Sequence, residues 1–435
     1  MNDALVIYCP KISPRLEYTL DWIFTEQLKL DYRITTDTSE LESLSFFVSY
    51  GRIFENALTI PDKGLLWETG IRTQNIDTGN WNKLPVLFAT TESKFSAPFD
   101  IFSAIFFLLS RYEEYYSYNS DKHNRYPATD SILFKNGLLE RPIVDEWVHQ
   151  FCKVLTMQFN ISVPLKKFSF TPTYDIDIAY SYRAKGLLRT TGAFLKDLSA
   201  LRIDKVSDRL HVLQQKKLDP YDSFDKLKAL HSKQNIVPIY FILASQRTTA
   251  FDKNISPNNA KMQRLIRGMV KEGRIGLHPS YYTDKDGYKL ASEKSSLEKI
   301  CGKHIVRSRQ HYIKIVLPDT YRNLLSQKIF EDYSMGYATH LGFRAGTGQC
   351  FCWYDLQNEI TTALRIYPFC FMDTTALYEM KLDRVEAFNR LKIMTGILKA
   401  TDSLLITIFH NFSLGSSPEW NGWADAYFDF VRRYY

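Results

Sequence analysis

Phe168-Ser169-Phe170-Thr171-Pro172-Thr173-Tyr174-Asp175-Ile176-Asp177 is the stretch on which the fold reading turns. Its first residues alternate large and small side chains with period two, the pattern of a short β-strand. If the strand runs on, Asp175 and Asp177 project to one side while Tyr174 and Ile176 pack on the other. Two carboxylates on one face repel each other unless a cation or a shared proton relieves them. An isolated D-x-D is more often a solvated turn or a helix cap. What lifts this one above a turn is the order of the motifs after it.

From Phe168 onward, strand-like runs alternate with amphipathic helical ones, the signature of an α/β fold with parallel strands. Ile236 to Ala244 is nearly all apolar, as a strand covered on both faces must be. Ala260 to Glu272 carries Met262, Leu265, Ile266, Met269 and Val270 on one helical stripe, and Gly273 ends it. Arg274-Ile275-Gly276-Leu277-His278 then reads as a short strand delivering a histidine to its C-terminal end. Arg309-Gln310-His311-Tyr312 closes the next candidate. Phe369 to Asp373 ends in a carboxylate, and a helix over Arg384 to Ala400 leads to Leu404 to Asn411, which ends in His410. Asp, His, Arg, Asp and His thus stand at successive strand ends, where barrel-like α/β folds build their active sites.

Residues 1 to 165 carry no motif with a nameable chemistry. Leu5 to Tyr8, Leu44 to Gly51 and Leu84 to Phe88 read as strands. Asp100 to Tyr116 reads as a helix that starts apolar and ends in Arg111-Tyr112-Glu113-Glu114, and Pro142 opens another. A length of 435 residues suits two or three domains, and 45% hydrophobic with 24% charged residues is ordinary for a globular protein. With 27 Tyr and 29 Phe, the aromatic content fits sugar-facing clefts as well as filled cores. The net charge of +7 comes without the basic cluster that nucleic acid requires. The N-terminus lacks the basic leader and long apolar core of a signal peptide, and Ile101 to Leu109 is too short to span a bilayer. Six dispersed cysteines, Cys350 and Cys352 among them, then predict reduced thiols in the cytoplasm.

The order D-x-D, G-L-H, F-R-x-G-x-G and I-x-I-F-H resembles the polysaccharide deacetylases of the NodB-homology type, carbohydrate esterase family 4, over about residues 168 to 415. The first half is similar to an uncharacterised domain found ahead of such modules in bacterial proteins, through Ser110 to Tyr115 and Pro142 to Asp145. The resemblance implies an irregular (β/α)7-type barrel over residues 166–435, preceded by a smaller α/β domain over residues 1–165. It implies metal-assisted removal of acetyl groups from N-acetylated sugars, in bacterial glycan or cell-envelope metabolism, with zinc as the expected metal.

Carried over by position, Asp175 is the expected general base and Asp177 the metal aspartate, one residue later than in the family pattern. His278 is the first metal histidine. Arg344 is expected to steady the base, with Thr347 offering a backbone N–H to the oxyanion. His410 is the expected general acid, tuned by Asp373. Tyr282 stands where the family has its second metal histidine, which leaves it, with Thr347, on the substrate side. That substitution leaves two protein ligands where catalytic zinc takes three. His311, one strand-helix-strand unit after His278, is the candidate for the third. The competing reading is a catalytically inactive carbohydrate-binding or scaffold protein on the same barrel. A carbohydrate is the expected partner in both cases.

Overall fold

A computed structural model of the chain describes residues 4–159, 163, 167–283 and 286–435. The domain boundary expected at 165/166 lies outside the described residues. The chain forms two compact units, one of Met1–Phe168, Gly342–Pro368 and Met394–Leu404, the other of Ser169–Leu341, Phe369–Ile393 and Leu405–Tyr435. Two segments expected in the barrel, 342–368 and 394–404, therefore fall in the first unit. The protein is mixed α/β. Among the described residues no helix is long and apolar enough to cross a membrane, and the six cysteines are free thiols.

In the first unit β1 (Leu5–Tyr8), β2 (Tyr32–Thr35), β3 (Phe47–Tyr50) and β4 (Ala57–Ile60) form a parallel sheet in the order β2-β1-β3-β4. Three of the four are wholly buried, whereas edge strand β2 is half exposed, as a parallel sheet covered on both faces predicts. β5 (Thr78–Trp81) and β6 (Leu84–Leu87) make an antiparallel hairpin. The helix Ile101–Leu109 is apolar but for Ser103 and fully buried. It stops at Ser110, short of the expected Tyr116, because Arg111 turns left-handed (φ 55°) and Tyr112–Tyr115 follow as a 3-10 turn. Residues two apart on a helix do not face each other. The kink instead brings both Glu113 (2.9 Å) and Glu114 (2.8 Å) onto the buried Arg111 guanidinium.

The next strands along the chain, β7 (Ser169–Ile176), β8 (Ile239–Leu243), β9 (Arg274–His278), β10 (Arg307–Ser308) and β11 (Glu331–Asp332), belong to the second unit and pair in parallel as neighbours. β12 (Phe351–Asp355) and β13 (Ile360–Ile366) are an antiparallel hairpin of the first unit. β14 (Phe371–Met372) pairs in parallel with β15 (Leu404–His410), which lies beside β7. The second unit's strands thus run β11-β10-β9-β8-β7-β15-β14. Strand β8 is buried throughout, as its unbroken apolar sequence predicts. Asn259 caps the helix Ala260–Glu272 by accepting from the Lys261 and Met262 amides. In β9, a Cβ at Gly276 would meet the Phe241 ring at 2.4 Å. Only glycine lets that ring lie there, and the Phe241 ring in turn supports the Arg309 guanidinium at 4.3 Å.

Candidate metal centre

Strand β7 sorts its side chains by period two. Tyr174 is buried on one face, where its hydroxyl meets His231 Nε2 (2.8 Å) and the Tyr427 hydroxyl (2.7 Å). Thr173 and Asp175 share the other face, and both accept from Arg309 Nη1, at 2.7 and 2.8 Å. Arg309 is wholly buried, and its Nε donates to the Tyr333 carbonyl (2.9 Å). A bare guanidinium could not be buried at this depth. The Asp175 carboxylate balances it, and Arg309 fixes that carboxylate's direction in return.

Asp177, one residue past the end of β7, is the point on which the histidines converge. Its Oδ1 lies 3.1 Å from His278 Nε2, and its Oδ2 lies 3.4 Å from Nε2 of both His311 and His410. Each ring is anchored through its other nitrogen. His278 Nδ1 bonds the Arg309 carbonyl, His311 Nδ1 bonds Asp252 Oδ1 (3.1 Å), and His410 Nδ1 bonds Asp373 Oδ1 (2.7 Å). A carbonyl can only accept, so His278 carries its hydrogen on Nδ1 and turns the Nε2 lone pair toward Asp177. A lone pair facing a carboxylate oxygen asks for a cation between them, and Asp177 Oδ1 is buried without a hydrogen-bond partner among the described residues.

Asp177, His278 and His311 each present one ligand atom, all within 4.8 Å of one another. Two imidazoles and a carboxylate suit zinc, and three protein ligands leave a coordination position open. Carboxylate and carbonyl partners behind the rings are the usual way such ligands are oriented. The donor set therefore fits a divalent cation. Asp177 is the most exposed of the three (17% against 2% and 6%), so it marks the side from which solvent reaches the cluster.

The charges are coupled. Burial would raise the Asp177 pKa, but the facing His311 and His278 rings outweigh it and hold the carboxyl well below its usual range. Burial likewise works against protonated His311, yet Asp177 and Asp252 push it up to about 9. His410 is also buried, and Asp373 together with Asp177 raises it well above an ordinary histidine. Asp373 holds this ring twice, since its Oδ2 also accepts from the His410 backbone N–H (2.7 Å).

Of the residues singled out from the sequence, Asp175, Asp177, His278, His311, Asp373 and His410 come together here. Arg344 and Thr347 do not. Arg344 is held by Glu114 in the first unit, at 2.7 and 2.5 Å, and Thr347 bonds Asp145 there. The guanidinium on Asp175 is that of Arg309, because β10 runs beside β9 and presents residue 309 to the same face. Tyr282 is 46% exposed, edge-on to the Phe251 ring at 6.1 Å. Asp252 and Arg309 were missed as site residues. The signal for Arg309 is the polar run Arg309-Gln310-His311 at a strand end, which is costly to bury without partners. Asp252 lies in a loop whose sequence carries no signal.

A family of unknown function (DUF7033) matches residues 5–160. No curated protein shows a significant match to the chain. Among solved structures, the Puue allantoinase is 13% identical, with 62% of this chain and 84% of that one covered and a TM-score of 0.41. A probable polysaccharide deacetylase from Pseudomonas aeruginosa PAO1 is 12% identical, with 62% and 85% covered and a TM-score of 0.40. A polysaccharide deacetylase from Bacillus cereus is 11% identical, with 62% and 88% covered and a TM-score of 0.28.

Proposed function

We propose that the second unit is a metal-dependent hydrolase that removes acetyl groups from N-acetylated sugars. The observation that carries this reading is the convergence of His278, His311 and His410 on Asp177, beside the Arg309-held Asp175. Asp177, His278 and His311 would hold the cation, with zinc the metal their chemistry fits best. Such a cation supplies Lewis acidity, polarising an amide carbonyl and acidifying an attacking water. Asp175, its direction set by Arg309, takes the proton of that water. His410, whose raised pKa keeps it protonated near neutrality, gives its proton to the departing amine. Asp373 orients the ring through Nδ1, so that Nε2 delivers the proton. The sugar as substrate rests on the motif order, and amide hydrolysis rests on this pairing of acid and base.

The test is bound-metal analysis of the purified chain together with acetate release from a panel of N-acetylated glycans. Metal at about one equivalent, and acetate release lost on chelation and restored by zinc, are expected. Asp175→Asn should keep the metal and lose the release. A metal-loaded chain that frees acetate from no member of the panel would overturn the reading, as would release that survives both the chelator and Asp175→Asn.

A further inference from the structure

The first unit contains a cleft of about 530 Å³, well inside the roughly 300–1,000 Å³ that small-ligand sites occupy. It lies wholly within residues 74–136 and shares no residue with the metal cluster. Tyr116, Tyr118 and Tyr126 line it. Tyr118 and Tyr126 pack edge to face at 4.9 Å and 79°. The Tyr116 hydroxyl donates to the Arg72 carbonyl (3.1 Å) and accepts from the Gln74 amide (3.2 Å), so its ring is set before any ligand arrives. Pre-set rings cost little ordering entropy on binding.

The polar part of the lining is the more telling one. Glu113 is committed, accepting from Arg111 and from the Ile132 amide (2.8 Å). Asp130, by contrast, is half-buried and makes no side-chain hydrogen bond among the described residues, while Ser117 and Thr78 present solvent-facing hydroxyls at the rim. A half-buried carboxylate with no internal partner and two rim hydroxyls, beside aromatic rings, are matched by a ligand with hydroxyl donors on one edge and C–H surface on the other. A phosphorylated ligand needs clustered cations. The lining offers one cation, Lys135, against two carboxylates, Glu113 and Asp130. A purely apolar ligand would leave Asp130 desolvated and unpaired.

We propose that this cleft is a binding site for a neutral saccharide of two or three rings, stacked on Tyr118 and hydrogen-bonded to Asp130. The proposal stands on the cleft alone and does not depend on the reading of the metal cluster.

The test is isothermal titration of triacetylchitotriose, cellotriose and maltotriose into the full-length chain carrying His278→Ala, a background chosen to suppress turnover. At least one trisaccharide is expected to bind. Tyr118→Ala added to that background should weaken it about tenfold or more, and Asp130→Asn several-fold. If Tyr118→Ala does not fold, Asp130→Asn alone decides. The proposal is overturned if none of the three binds at up to about 10 mM, or if binding is unchanged in every folded variant.

Discussion

The two units each bury a cluster of charge, and the clusters are built to opposite rules. In the first unit Arg111, Glu113, Glu114 and Arg344 interlock, with Glu114 accepting from both arginines. Burial would raise Glu114, but the two guanidiniums outweigh it and hold it below its usual pKa. None of the four has an orphaned buried atom among the described residues. In the second unit Asp177 Oδ1 and Arg309 Nη2 are buried without hydrogen-bond partners among the described residues, and the Nε2 atoms of three histidines converge on the carboxylate. Buried polar groups are normally satisfied, so a complete network belongs to the fold and an incomplete one to whatever completes it. The same residue types, Arg with Asp or Glu, thus serve different ends, and the count of unmet valences tells them apart.

By that contrast, the largest effects fall on catalysis in the second unit. Asp175→Asn should lower acetate release by at least about a hundredfold, with metal content unchanged. Steady-state kinetics with metal analysis checks this. A residual rate near that of the parent protein would detach Asp175 from the chemistry.

Next in size is stability in the first unit. Arg344→Ala leaves two buried carboxylates, Glu113 and Glu114, on the single Arg111 guanidinium and should cost about 3–5 kcal/mol, seen as a lower urea midpoint. A loss of less than about 1 kcal/mol would mean the network is wetter than described.

Asp252→Asn should weaken metal binding by about 10–100-fold through His311, because it alters the partner that sets that ring's tautomer. A competition titration against a chelator measures it. An unchanged affinity would remove His311 from the ligand set.

The last effect is a pH dependence. His311 has an ordinary value of 6.5 and is raised to about 9 in the metal-free fold. Its contribution to metal-free stability is therefore full below pH 6.5 and is lost as pH rises toward 9. Metal needs the neutral ring, so metal affinity should rise over that same window and binding at pH 7 should release a proton. Denaturation of the stripped protein across pH 6–9, and titrations in buffers of different ionisation enthalpy, read both signs.

The strand ends were legible because period two and the apolar runs around them are local signals. Strand β7, the helix Ala260–Glu272 and the histidine at the end of β15 could be read directly from the sequence. What the chain order could not convey was which arginine meets Asp175. Arg344 sits in a glycine-rich motif and Arg309 in a plain strand end, and the choice between them is made by β10 lying next to β9. The helix expected to continue through Tyr116 failed for a related reason. Its break at Arg111 is dictated by carboxylates that the guanidinium must reach once it is buried, and helical periodicity carries no information about that.

Residue 309 has a further consequence. Its side chain grips Asp175, while its carbonyl holds the Nδ1–H of His278. The proposed proton acceptor and a proposed metal ligand therefore hang from a single amino acid, one by guanidinium and one by backbone. Their spacing is held because the Arg309 side chain is itself pinned, by the Tyr333 carbonyl, the Thr173 hydroxyl and the Phe241 ring. The grip on Asp175 can be edited by substitution, whereas the grip on His278, belonging to the peptide bond, is beyond the reach of side-chain mutation.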